Sequence, residues 1–172
     1  MKKYVPGTEK KIYNTVLGGI INDKDEILLL KRRKEPYVGI WALPGGSIEF
    51  GEHLEEAIER EIKEETNIDV RFGSLKGIVH EILHESGSDK KLMHFLLWVC
   101  QLKPAHFDAR ASREGPLKWF PIKKLKEHKQ QIAPSDFIMI NKFFAKKTPT
   151  IKVHKVKMLK TNAGYKIESR DL

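Results

Sequence analysis

The chain has 172 residues, enough for one domain with a real core, and its balance of 40% hydrophobic and 32% charged residues argues against wholesale disorder. Its net charge of +9 favours anionic partners such as nucleotides, nucleic acid or acidic membrane surfaces. The longest apolar run, FLLWVC at 95–100, is strand-sized, so no membrane span is expected.

The N-terminal MKKYVPGTEKK is positively charged but has no apolar stretch behind it, so no secretory signal is expected. KIYNTVLGGII (11–21) and EILLLKR (26–32) are rich in β-formers, and the intervening NDKD predicts a hairpin. YVGIWALPGGSIEFGE is punctuated by Gly and Pro and reads as a loop. Residues 53–66 carry helical periodicity. VRFGSLKGIVHEIL (70–83) and KLMHFLLWVCQL (91–102) read as strands flanking the turn ESGSD, and LKWF (117–120) as another short strand. SDFIMINKFFA (135–145) predicts a helix capped by Ser135. The tail predicts a basic hairpin around Asn162–Gly164. The elements suggest a one-domain α/β sandwich, with residues 1–146 as its body and 147–172 as a basic extension packed on it.

The single cysteine, Cys100, lies inside the apolar run and reads as a small buried hydrophobe. With no disulfide to make, a reducing, cytoplasmic setting is expected. His80-Glu81-Ile82-Leu83-His84 has the spacing of a zinc-protease motif. That motif requires a helix, and the context here is strand and turn, so the histidines read as strand residues. Glu81 and Glu85 are left as candidates for substrate-side contacts.

On a helical wheel at about 100° per residue with Leu54 at zero, Ala57, Ile58 and Ile62 define a buried arc. Glu61 then falls near about −20° and Glu65 near about +20°, inside that arc, with Glu64 on its margin. Two carboxylates one turn apart repel by roughly 3 kcal/mol at an effective dielectric of about 20. Arg60 offsets part of that. A hard divalent cation offsets more, and clustered carboxylates with backbone carbonyls and water suit magnesium. The helix alone is equally compatible with an acidic end whose side chains reach solvent.

From Gly46 to Ile68 the string GSIEFGEHLEEAIEREIKEETNI resembles the Nudix box. Gly46, Glu52, Arg60, Glu61, Ile62, Glu64, Glu65 and Ile68 match at fixed spacing. Asn67 stands where that family has Gly, and Asn also tolerates a left-handed helix end. The resemblance implies a Nudix-type α/β/α sandwich with a mixed sheet between helices. It further implies a Mg2+ or Mn2+ site at Gly46, Glu61, Glu64 and Glu65, with Arg60 orienting the acids. Glu61, then Glu65, would help deprotonate the attacking water. REGPLKWFPIKKL followed by APSDF resembles the MutT-like branch, which implies cleavage of a nucleoside triphosphate, including oxidised 8-oxo-dGTP-like ones, to monophosphate and pyrophosphate. ADP-ribose or dinucleoside polyphosphates are alternative substrates, and a non-catalytic nucleotide- or RNA-binding module is an alternative of another class.

For the substrate, Arg32 and Arg33 are candidates to grip phosphates. Glu114 is a candidate late-loop ligand, or else a solvated loop residue. Trp41, Phe95 and Trp119 could stack on a base or pack in the core. The expected partner is a nucleoside di- or triphosphate, with no membrane; nucleic acid ranks behind it, and a homodimer is compatible with the sequence.

Overall fold

Alternation along two neighbouring strands, β1 (Ile12–Gly19) and β2 (Glu26–Lys31), sends successive side chains into two different cores. In the computed structural model, which describes residues 11–87, 90–145, 148–161 and 164–171, Val16 and Leu28 enter one core and Leu17, Ile27 and Leu29 the other. The first core is covered by helix α1 (Leu54–Thr66) through Ala57, Ile58 and Ile62. The second is covered by helix α2 (Pro134–Phe143) through Met139 and Ile140, and by Leu125 of a 3-10 segment, Ile122–Gln131. Sheets thus lie between helices, as the fold class requires.

The remaining strands are β3 (Trp41–Ala42), β4 (Gly45–Ser47), β5 (Val70–His84), β6 (Lys91–Pro104), β7 (Leu117–Pro121), β8 (Lys155–Thr161) and β9 (Gly164–Asp171). A mixed sheet runs β4-β1-β6-β5, with β1 parallel to β6 and the other pairs antiparallel. A second, antiparallel sheet runs β3-β2-β7.

The expected hairpin between β1 and β2 forms next to its turn but does not continue into a shared sheet. Its turn does close: Asn22 N–H donates to the Glu26 carbonyl at 3.0 Å, and Ile21 bridges Ile27. Beyond the turn the strands part into different sheets. Each strand has two edges, and β1 fills its edges with β4 and β6 while β2 takes β3 and β7.

Helix α1 begins with the Glu56 carboxylate accepting the His53 N–H at 2.7 Å and ends at Asn67, whose φ of 59° is left-handed. The substitution of Asn for Gly at that position therefore keeps the turn. Helix α2 starts two residues earlier than a Ser135 cap requires. Pro134, with φ preset for a first helical turn, opens it after Ala133, so Ser135 is not the cap. The next residue, Asp136, is buried and accepts the Leu43 N–H at 2.7 Å.

The chain beyond α2 is tied down by Lys76, which donates to the Thr148 carbonyl, by the Ile151–Leu75 bridge and by an ion pair between Lys155 and Glu55. Strands β8 and β9 then pair antiparallel; residues 162 and 163 of the expected turn lie outside the described residues. Among the described residues, no helix is long and apolar enough to cross a membrane.

Candidate active site

Strand β4 delivers two glycines to the flank of α1, and each is there for a steric reason. Gly45 has φ 147°, and a side-chain carbon on it would lie 2.0 Å from the Val16 carbonyl oxygen. The same residue's N–H donates to Glu65 Oε2 at 2.8 Å. A carbon on Gly46 would meet the Glu61 carboxyl at 2.4 Å. The strand-to-helix approach is therefore set by backbone packed directly on two carboxylates.

Those carboxylates open into a cavity of about 790 Å³. Glu65 is only 7% exposed, and burial pushes its pKa up to about 8, against the opposing Gly45 hydrogen bond. Glu61, with a side chain 16% exposed, is also raised by burial and pulled back by Arg60. Glu64 is 59% exposed and sits on the rim. The wheel's ranking of these three acids is reproduced.

Arg60 organises this end. Its Nε and Nη2 donate to the two oxygens of Glu52 at 2.6 and 2.9 Å, and Nη2 also donates to the Ser47 carbonyl at 3.1 Å. Its Nη1 lies 2.9 Å from Glu61 and 3.6 Å from Glu64. The guanidinium holds the Glu52 carboxyl down to about 2, and Glu52 and Glu61 raise the arginine's own pKa.

Among the described residues, no three His, Cys, Asp or Glu side chains are gathered tightly enough to hold a metal unaided. Magnesium is commonly bound by one or two carboxylates and completed by water and substrate phosphates. Two inward carboxylates against a glycine backbone that leaves no room for a Cβ fit such a site, with Glu64 able to join from the rim.

Both basic candidates, Arg32 and Arg33, border the cavity and also hold loops together. Arg32 lines the cavity, but its guanidinium donates to the Pro36 and Glu35 carbonyls at 2.7 and 3.4 Å, so it also anchors the following loop. Its positive charge bears on both Glu65 and Asp136. Arg33 donates to the Arg113 carbonyl and Lys34 pairs with Glu114 at 2.7 Å, tying two loops together at the mouth. Glu114 lines the cavity and its charge is felt by Glu65.

Of the aromatic candidates, Phe95 lines the cavity, its ring centroid 5.5 Å from that of Tyr13. Trp41 packs on Phe120 and Trp119 on Phe107 instead. His80 and His84 lie on strand β5, as the strand reading required. Glu81 reaches the cavity, whereas Glu85 pairs with Lys90 in the turn beyond the strand. Tyr37 and Asp136 also line the cavity and were not singled out in the sequence. Tyr37 adopts φ 70°, and no local residue pattern announces that.

A family model described as NUDIX domain matches residues 13–143. Among curated proteins, the chain is 43% identical over 83 residues to an ADP-ribose pyrophosphatase of Methanocaldococcus jannaschii, covering 45% of this chain and 49% of that protein. It is 41% identical over 59 residues to a putative 8-oxo-dGTP diphosphatase of Bacillus subtilis, covering 34% and 38%. It thus spans about half or less of the length of these relatives. Among solved structures, a MutT protein from Methanosarcina mazei superposes with a TM-score of 0.68 at 27% identity, over 80% of this chain and 96% of that one. A MutT NUDIX hydrolase from Burkholderia pseudomallei gives 0.65 at 27% identity, over 77% and 98%.

Proposed function

The chain belongs to the Nudix family, and on that premise we propose that it is a divalent-metal-dependent pyrophosphohydrolase of nucleoside triphosphates, oxidised ones included. Water attacks a phosphorus of the triphosphate, one P–O anhydride bond breaks, and nucleoside monophosphate and pyrophosphate leave. The observation that carries this reading is the pair Glu61 and Glu65, held inward against Gly46 and Gly45 with Arg60 fixing Glu61.

In this proposal Glu61 and Glu65 hold Mg2+ or Mn2+, with the Gly46 carbonyl and Glu64 completing the protein's share of the site. The bound ion supplies charge at the phosphoryl oxygens and a more acidic water. Glu61 takes the water's proton in preference to Glu65, because each has one oxygen engaged by a donor and Glu61 is the less buried of the two. Arg33, Lys34 and Arg113 give the mouth a positive field for phosphate entry, and Arg32 presents its charge within the cavity.

A second reading is hydrolysis of ADP-ribose, favoured by the 43% identity to a relative named for that activity. The test is turnover with magnesium across nucleoside triphosphates, their 8-oxo forms, ADP-ribose and diadenosine polyphosphates, with every product identified. Pyrophosphate release from a triphosphate is the expected result. Turnover of ADP-ribose alone would replace the first reading by the second, and no turnover of any of them would leave a binding module.

A further inference from the structure

Besides Glu61 and Glu65, the cavity is lined by a second pair of acids. Glu81 projects there from β5, and Asp136 from the start of α2; the Glu81 charge contributes to the raised pKa of Asp136. Asp136 has a settled partner in the Leu43 N–H. Glu81 is satisfied at only one oxygen: its Oε1 accepts from the Tyr37 hydroxyl at 3.2 Å, while its Oε2 is buried without a hydrogen-bond partner among the described residues. A shielded carboxylate oxygen left bare is unusual in a folded protein, and a ligand that brings its own donor is one resolution.

Two further features surround that oxygen. Tyr37 reaches Glu81 from a backbone with φ 70°, a conformation that bulky residues rarely adopt, so the loop holds the phenol at this carboxylate against its own preference. Phe95 is paired across the sheet with Glu81 and lies against Tyr13, giving a flat apolar wall beside the carboxylate. An acceptor-only group next to an aromatic wall suits a planar heterocycle with N–H donors on its edge.

We propose that Glu81, positioned by Tyr37, selects the nucleobase of the substrate and favours guanine-type bases. The inference rests on the nucleotide-hydrolase reading above and names the base it would act on. Guanine carries adjacent N1–H and N2–H donors whose spacing matches the two oxygens of a carboxylate. Hypoxanthine offers one of these donors. Adenine sets an acceptor nitrogen beside its amine, opposite a carboxylate oxygen. A base oxidised at C8 keeps the N1/N2 edge, so Glu81 accepts plain and oxidised guanine alike. The phenol of Tyr37 shifts aside, or shares Oε1, when the base enters.

The experiment measures binding of GTP, ITP and ATP to the full chain by calorimetry, with Ca2+ in place of Mg2+, and in parallel kcat/KM for each with Mg2+. The unmodified protein should favour GTP over ITP and ATP by about tenfold or more. The isosteric Glu81→Gln should lose about tenfold for GTP and bring the three nucleotides close together. Equal treatment of the three by the unmodified protein, or an unchanged GTP-to-ATP ratio in a folded Glu81→Gln, overturns the proposal. If Glu81→Gln does not fold, the ratio in the unmodified protein decides. A binding preference that Glu81→Gln erases, without turnover of any nucleotide, upholds the role of Glu81 and removes the hydrolase reading. Turnover with no base preference does the reverse, and failure to bind any of the three overturns both.

Discussion

The α-carbon of Gly46 faces the Glu61 carboxylate so closely that a methyl group there would lie 2.5 Å from both of its oxygens. Gly46→Ala must therefore push Glu61 away from its place. A displacement of about 1 Å at a reacting centre can cost on the order of a hundredfold in rate. We expect kcat with magnesium and a nucleoside triphosphate to fall by that order while the melting temperature moves little. Unchanged kcat would show that the position of Glu61 is not critical.

Arg60 holds Glu52 with two parallel hydrogen bonds and also touches Glu61 and Ser47. Lysine carries the charge but cannot reproduce that fork. Arg60→Lys is expected to cost about 1–2 kcal/mol in denaturant unfolding, a value moderated by the partial exposure of the group. Turnover should fall further than stability, because Glu61 loses its tether. A double-mutant cycle with Glu52→Gln should show coupling between the two positions. Strict additivity would contradict the bidentate contact.

Burial pushes the Asp136 carboxyl from 3.8 up to about 7. The unfolded chain releases this proton near 3.8, whereas the folded protein holds it until about 7. Over that window the folded state binds more protons, so this group's contribution is greatest at acid pH and is lost as pH rises through about 7. Asp136→Asn retains an oxygen for the Leu43 N–H and removes the titration. Calorimetric melting in metal-free buffer should show the unmodified protein losing stability relative to Asp136→Asn between about pH 4 and 7. Parallel profiles would count against a proton held there.

Magnesium together with a nucleotide should raise the melting temperature. At a hundred times the dissociation constant, linkage gives about 2.7 kcal/mol of stabilisation. Glu65→Gln should abolish most turnover and most of that shift. It should fold as well as the parent without metal, since it removes a carboxyl from a buried position. An undiminished magnesium shift in Glu65→Gln would remove Glu65 from the metal site.

What the sequence made legible was local. A period of 3.6 residues is enough to turn Glu61 and Glu65 inward and leave Glu64 at the edge, and an Asn at the end of α1 is enough to predict its left-handed turn. What it left hidden depends on partners far along the chain. NDKD announces a turn correctly, but nothing in it says that β1 and β2 will leave that turn for different sheets. The choice of strand edges is made by β4, β6, β3 and β7. Arg32 was a candidate phosphate ligand from its place just after a strand, and it does line the cavity. Its hydrogen bonds to the Pro36 and Glu35 carbonyls depend on the path of a loop that residue types alone do not specify. Asp136 was hidden for the same reason, since its partner is the remote amide of Leu43.

That contact joins residues 93 positions apart. The backbone leading into Gly45 therefore has no native acceptor for the Leu43 amide until helix α2 has been synthesised. A ribosome halfway through this message carries a chain with every proposed metal ligand already made and no finished cavity to use them in. On the proposed function, hydrolytic competence would arrive only late in translation, and a chain stopped before Asp136 is expected to hold the full set of box residues without the Leu43 contact that finishes the cavity.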